Sequence, residues 1–247
     1  RSDPIEKLSI EHSHPIWIVR AFFDRLGNWE EVEKLLVANN LAAKPNLIAW
    51  PGLSTKEELL RNGGSEIDFL SFGVISDSTP ESITAIKERR AGVQDAGSQY
   101  LTELFLATNL PNLEWLDLCA APGGKAKYIY ESLGHKHFTA NEINTSRFGL
   151  LKQLLPSEIL LNLDGRESIS FPRKYDRILI DAPCTGIGAL RRRPEARWRK
   201  SINDLKELIK IQRELVDSAV AMLNPGGLIA YATCSPHLLE TKAQVAD

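Results

Sequence analysis

Five apolar runs, separated by helix-patterned stretches, constrain the fold of this chain more than any other feature. They are "LEWLDLCA" (113–120), "HFTANEI" (137–143), "EILLNLD" (158–164), "YDRILIDAP" (175–183) and "GGLIAYATC" (226–234). Between them lie segments such as "NDLKELIKIQRELVDSAVAML", whose apolar residues recur at helical spacing. Strands that are apolar throughout are buried on both faces, and their alternation with helices builds a parallel sheet covered on both sides. The expected class is therefore α/β, with a mostly parallel, doubly wound sheet. Ligands of such sheets bind at the carboxyl ends of the strands. Cys119, Cys184 and Cys234 fall at the ends of the first, fourth and fifth runs.

Upstream the pattern differs. In "HPIWIVRAFFDRLGNWEEVEKLLVANN", Trp17, Ile18, Ala21, Phe22 and Leu26 recur at helical spacing, Gly27 interrupts, and a second period runs through Val32, Leu35 and Leu36, which predicts two short helices. "AAKPNLIAWPGLSTKEELLRNGG" predicts a strand, a Pro-Gly turn and a short helix, capped by Ser54 or Thr55 with Glu57 or Glu58 in a capping box and closed by Gly63-Gly64. Strand-like pieces around "IDFLSFGVI", a helix over "TPESITAIKERR", and a turn and helix over "AGVQDAGSQYLTELFLATNL" complete it. The expected organisation is an accessory domain over 1–92 (helical over 1–44, small α/β over 45–92) followed by the sheet domain over 93–247.

With 43% apolar and 25% charged residues, the chain has the composition of a folded globular protein. No run approaches the roughly 18 to 20 apolar residues of a membrane span, and "RSDPIEKLSIEHSHP" lacks the apolar core of a signal peptide, so a cytoplasmic location is expected. A net charge of −2 gives no global sign of a nucleic-acid partner, so any such partner must meet a local basic patch. Three cysteines at scattered spacing match neither a complete disulfide framework nor a zinc site, and His12 and His14 have no matching metal partners; no metal is expected.

"LDLCAAPGGKAKY" joins a strand to a helix through small residues and two glycines, letting a ligand reach the helix N–H groups. By itself it is a weak nucleotide-loop signal, with a tight turn that binds no ligand as the alternative. Glu142, about twenty residues on at the next strand end, stands where a ribose would be hydrogen-bonded. Asp117, Asp164 and Asp181 complete a series of strand-end acids that suits a nucleoside-bearing cofactor, although each alone also reads as a solvated acid or helix cap. "DAPCTG" and "ATCSP" place Cys184 and Cys234 on strand ends beside that loop. A lone cysteine is usually an inert small hydrophobe, but a thiolate is also the side chain that adds readily to an electron-poor pyrimidine. "RRRPEARWRK" (191–200) carries six basic side chains and Trp198; it is either a solvated face or a phosphate-contacting rim.

"DLCAAPGGKA", "DAPCTGIGALRRRPEARW" and "YATCSP", in this order, resemble the Fmu/Sun family of S-adenosylmethionine-dependent RNA cytosine carbon-5 methyltransferases, and "HPIWIV" and "VQDAGSQ" extend the resemblance over most of the chain. Its branch acting on bacterial small-subunit ribosomal RNA is the nearest in pattern. The resemblance implies a Rossmann-like methyltransferase domain preceded by a small RRM-like accessory domain, S-adenosylmethionine as cofactor and RNA, foremost rRNA, as substrate of a monomer. It implies that Cys119, Ala120, Ala121, Pro122, Gly123, Gly124 and Lys125 hold the methionine part of the cofactor. Glu142 would take the ribose, Asp164 the adenine side and Asp181 the transferred methyl region. Arg147, like Lys125, is placed near the cofactor by motif position. Cys234 would be the nucleophile, Cys184 the second cysteine that helps release product, and Cys119 not catalytic. Arg191, Arg192, Arg193 and Trp198 would meet RNA.

After "TCSP", Glu240 fits the family's acid-and-asparagine pattern, whereas Thr241 and Lys242 depart from it. The fold implied closes its sheet with two further strands, so a C-terminally truncated catalytic domain is expected. A tRNA cytosine methyltransferase, and a catalytically silent RNA-binding or ribosome-assembly factor of the same fold, remain the alternatives.

Overall fold

A computed structural model describes residues 3–110 and 113–246. These fall into two compact units, each discontinuous in sequence. One comprises the described residues up to Ala43 with Ala182–Asp217 and those from Ala232 onward; the other comprises Lys44–Asp181 and Ser218–Tyr231. The residues expected to part at position 92 thus belong to a single unit, because the strand ending near residue 93 pairs back into the small sheet.

The first unit begins with three helices, α1 (Pro4–Glu11), α2 (Ile16–Leu26) and α3 (Trp29–Asn39). The two expected helices are α2 and α3, and Gly27 closes α2 at φ +68°, a left-handed conformation that costs glycine little. Asn28 then caps α3, accepting from the Glu30 and Glu31 amides. The sequence pattern missed α1, which Asp3 caps through the Ile5 N–H. Ile18, Val19, Phe22, Val32 and Leu36 form a core with Ile187 and Leu190, all essentially excluded from solvent. At about 1.5–3 kcal/mol for each fully buried large apolar side chain, this core anchors the chain that follows Cys184. His14 is buried, its Nδ1 on the His12 carbonyl at 2.7 Å, and burial lowers its pKa to about 4, so it is a neutral structural imidazole.

The second unit carries two sheets. Strands β1 (Asn46–Ala49), β2 (Gly64–Glu66), β3 (Gly73–Ser76) and β4 (Ala91–Val93) form an antiparallel sheet in the order β2-β3-β1-β4. Between β1 and β2, α4 (Lys56–Leu60) is capped by Thr55, which accepts from the Glu58 N–H at 3.2 Å. Two expectations fail here. The helix over "TPESITAIKERR" is reduced to a 3-10 turn at Pro80–Ser82 and α5 (Thr84–Lys87), because Ile83 between them is extended. The turn expected at 91–95 contains β4, whose Gly92 leaves no room for a side chain: a Cβ there would lie 2.4 Å from the Trp50 ring. Asp95 then caps α6 (Ala96–Leu106) through the Gly97 N–H.

The larger sheet follows the expected alternation: β5 (Trp115–Asp117), α7 (Gly124–Ser132), β6 (Phe138–Asn141), α8 (Thr145–Leu151), β7 (Leu160–Leu161), β8 (Tyr175–Asp181) and β9 (Leu223–Ala232). The strand order is β7-β6-β5-β8-β9, and β5–β6, β5–β8 and β6–β7 pair in parallel. The third run keeps only two paired residues, since a 3-10 turn at Ser157–Ile159 consumes its start. After β8 come α9 (Ala196–Arg199) and α10 (Ile202–Met222), and after β9 a 3-10 turn at Leu238–Glu240 and α11 (Lys242–Val245). Among the described residues, no helix is long and apolar enough to cross a membrane.

Candidate active site: a strand-end pocket and a pair of thiols

The candidate cofactor residues all lie in the second unit, at the carboxyl ends of β5, β6, β7 and β8. Leaving β5, the chain passes Cys119 to Pro122, with a cis Ala121–Pro122 bond, and enters α7 at Gly123–Gly124. Gly123 is needed twice over: its φ is +115°, and a Cβ would come within 2.8 Å of Leu154 Cδ1. Lys125, in the first turn of α7, pairs with Asp181 at 2.7 Å. Arg147 donates to the Ala121 carbonyl and lies 3.7 Å from Glu142, so one guanidinium links the loop to the next strand end. Glu142 is 3% exposed and accepts the Asn144 N–H at 2.8 Å. Asp164 is turned to its own loop, where it accepts from the Arg166 backbone at 3.0 Å and from the Arg166 guanidinium, which holds its carboxyl below the usual range.

Cys119 is half-buried at the site; burial and the surrounding Asp117, Glu142 and Asp181 charges push its thiol far above the ordinary value. A thiol so held keeps its proton at physiological pH.

Asp117, from the series of strand-end acids, and two residues that motif reading did not single out, Gln94 and Asn141, complete this pocket. Asp117 is fully buried and neither carboxylate oxygen has a well-formed hydrogen bond. Burial, then the Asp181 charge, raises its pKa to about 8, with Lys125 and the Cys119 amide as partial offsets. Gln94 is 7% exposed with both ends of its amide unpartnered, and a Cβ on Gly124 would lie 3.6 Å from its Cδ, so the amide sits against the α7 start. Asn141 laces three strand ends together: Nδ2 donates to the Leu118 and Leu163 carbonyls, each at 3.1 Å, and Oδ1 accepts the Leu163 N–H at 3.0 Å. Buried polar atoms left without partners are costly and mark places where a polar ligand can complete the bonding. The set fits a ligand with an ammonium and a carboxylate at one end, near Asp117, Gln94 and the α7 N–H groups, and a ribose at the other, near Glu142. The sequence signal available was a polar side chain inside "VQDAGSQ" for Gln94 and beside Glu142 for Asn141; nothing local showed that either would be buried.

The cysteine pair lies in the first unit. Cys184 follows β8 by three residues and Cys234 follows β9 by two, and their Sγ atoms are 3.3 Å apart. Cys234 is exposed, Cys184 less so. The Cys234 thiol, with Thr233 assisting, favours the ionised form of Cys184 and draws its pKa to about 7 against the opposing effects of burial and of Glu240. The pair therefore gives up its first proton near neutral pH, from Cys184. The loops bearing them are sewn together: Gly188 N–H donates to the Cys234 carbonyl at 2.9 Å, and Thr185 Oγ1 and Ser235 Oγ, each immediately following a cysteine, are 3.1 Å apart.

The basic run divides. Arg197 is 5% exposed and donates to the Asn40 side chain at 2.8 Å and to the Ser13 and Asn39 carbonyls, so one of its six cations is structural. Arg191 donates to the Ala42 carbonyl at 3.0 Å. Arg192, Arg193 and Trp198 are exposed, Trp198 at 66%. His12 does acquire acidic neighbours: Glu11 and Glu33 bring ligand atoms within 4.8 Å of one another and of its ring. His12 Nε2 lies 3.5 Å from Glu33, and the exposed acids need no metal to account for them.

Comparison with known proteins gives the family. A family model for the 16S rRNA methyltransferase RsmB/F matches residues 105–247, more than half of the chain. A Mycobacterium tuberculosis protein with a provisional methyltransferase name is 42% identical across the whole chain, which covers 56% of that protein. Ribosomal RNA small subunit methyltransferase B of Pectobacterium carotovorum is 32% identical over 96% of the chain and 55% of its own length. The chain thus spans about half the length of the curated relatives it matches. Among solved structures, PH0851 superposes over the full chain with a TM-score of 0.86 at 26% identity, covering 59% of that chain. NSun6 from Pyrococcus horikoshii, solved with SFG, shares the fold at a TM-score of 0.79 and 17% identity over 94% of this chain and 86% of its own. The extent of the family match and the identity to these relatives place the chain in the RsmB/F family of 16S rRNA methyltransferases.

Proposed function

We propose that the protein transfers a methyl group from S-adenosylmethionine to carbon-5 of a cytosine in RNA, with small-subunit rRNA as substrate, through a covalent bond between Cys234 and carbon-6. The observation that carries this reading is the pair of thiols 3.3 Å apart at two strand ends, with Cys234, the more exposed of the two, on the side open to solvent. The cofactor supplies an electrophilic methyl on a sulfonium. Asp117, Gln94 and the Cys119–Lys125 loop would hold its amino-acid end, Glu142 its ribose and Asp164 the adenine side, with Asp181 near the methyl.

Carbon-5 of cytosine is too weakly nucleophilic to take the methyl unaided. Addition of the Cys234 thiolate to carbon-6 turns carbon-5 into an enamine-like centre that can do so. The carbon-5 proton then leaves to a base, and the S–C6 electron pair returns to Cys234 as the ring double bond re-forms. Cys184 assists this release. Arg192, Arg193 and Trp198 meet the RNA backbone and bases, Arg191 extends that rim, and residues 1–92 serve as an accessory RNA-binding region of a cytoplasmic, monomeric enzyme.

The test is incubation with methyl-labelled cofactor and small-subunit rRNA, then mapping of 5-methylcytosine. Cys184→Ala should accumulate a covalent protein–RNA adduct and Cys234→Ala should form none. Methylation by Cys234→Ala would overturn the assignment. Label on tRNA alone would reassign the substrate, and no methylation of any RNA would favour the silent factor.

A further inference from the structure

Behind the two thiols lies a carboxylate that the proposed chemistry does not use. Glu240, in the turn after Cys234, is fully buried. Its Oε1 accepts the Thr185 N–H at 2.8 Å and the Gln212 Nε2 at 3.1 Å, and its Oε2 accepts the Thr185 hydroxyl. Gln212, on α10, also donates to the Pro183 carbonyl at 2.8 Å. One side chain thereby collects donors from the residue after Cys184 and from the helix that holds the residue before it. The other half of the clamp is Ser235, which bonds Thr185 and accepts the His237 N–H at 3.2 Å. A buried carboxylate is expensive unless its lone pairs are met, and here three donors converge on it from segments 28 and 55 residues away in sequence. An apolar residue of the same size would leave the Thr185 amide unpaired and leave the two loops joined only through Gly188 and Ser235.

We infer that Glu240 is a positioning residue: it ties the Cys184 loop to the turn after Cys234 and so fixes the separation of the two thiols. The inference rests on the proposed chemistry for its consequence, since Cys184 can help break the Cys234–cytosine bond only if held beside it. Cys234 follows its own strand by two residues and is held there through its carbonyl on the Gly188 N–H, so adduct formation should tolerate a loosened clamp better than adduct breakdown. Misplacement of about 1 Å in such a constellation costs on the order of a hundredfold in rate. Cys234, Thr233 and Glu240 are the groups that act on the Cys184 proton, and the Glu240 charge opposes its loss.

The test uses Glu240→Gln, which keeps the volume but cannot accept from all three donors, and Thr185→Ala, which removes one hydroxyl and keeps the amide. The first measurement involves no RNA: the rate at which diamide converts Cys184 and Cys234 to a disulfide, the two thiol hydrogens passing to the diazene nitrogens, followed by mass spectrometry at pH 8.5, above the value of about 7 to which the Cys184 thiol is drawn. Glu240→Gln should slow this about tenfold and Thr185→Ala by less, at temperatures well below each variant's unfolding transition. The second is the fraction of protein trapped on rRNA during turnover, which should rise in Glu240→Gln towards that of Cys184→Ala. A general loss of stability would move neither readout in that direction. Cross-linking within twofold of wild type in folded Glu240→Gln overturns the inference, whatever the RNA assay gives. A wild-type protein that methylates no RNA overturns the proposed function instead, and leaves the cross-linking result to decide the role of Glu240.

Discussion

Replacing Gly188 by alanine tests whether the backbone beneath the nucleophile is as tightly fixed as the geometry indicates. A Cβ at Gly188 would lie 2.7 Å from the Cys234 carbonyl oxygen and 3.3 Å from Pro236 Cδ, against a backbone already bonded through Gly188 N–H to Cys234 O at 2.9 Å. Relief requires the carbonyl to recede by about 0.5 Å, and overpacking of this kind costs about 1–3 kcal/mol. In a chain of this size each kcal/mol lowers the melting temperature by about 2–4 °C, so a fall of roughly 2–12 °C is expected. The same displacement carries the Cys234 Cα with it. If 1 Å costs about a hundredfold, half of that costs about tenfold in the step that forms the adduct. The assay is single-turnover formation of the covalent adduct with saturating RNA and cofactor, at a temperature where thermal scans show the variant folded. Gly134→Ala serves as a control, since nothing lies within 4 Å of the Cβ position there and only the positive φ of +62° is strained. Gly188→Ala with wild-type stability and an adduct rate within twofold of wild type would show that the two loops yield independently, and the packing argument would fail.

Two further outcomes follow from the pKa and burial patterns. With its pKa raised to about 8, Asp117 keeps its proton in the folded state while the unfolded chain loses it near pH 4, so its contribution to stability is fully present below about pH 4 and is lost as pH rises through about 8. Asp117→Asn should therefore stabilise the cofactor-free protein at pH 8 and flatten its stability profile between pH 5 and 8, measured by denaturant titration; an unchanged slope refutes this. Arg193→Gln should lower the salt dependence of RNA binding by about one unit of slope without lowering stability, whereas Arg197→Met should destabilise by about 2–4 kcal/mol through its unpaired carbonyl partners and leave the slope unchanged. Equal effects of the two on the salt slope would show that the run acts as a single patch.

What could be read along the chain was whatever depends on near neighbours. The alternation of apolar runs and helical periods determined the parallel sheet, since burial on both faces demands such strands; Gly27 and Thr55 announced their helix ends because a cap acts within three residues. The glycine loop and the strand-end cysteines were legible for the same reason: small residues and thiols carry their chemistry in their identity. Tertiary structure alone decided which polar groups are buried and what they meet. Arg197 looks like its neighbours in "RRRPEARWRK" until it is found among the carbonyls of residues 13 and 39. Gln94 becomes a candidate ligand-holding group only because packing removes its other partners. Glu240 looked like a surviving fragment of a motif, and its role comes from Thr185, 55 residues away. The physical reason is common to all three: the worth of a polar side chain is set by desolvation and by donors brought in from distant segments, and neither quantity is a property of the local sequence.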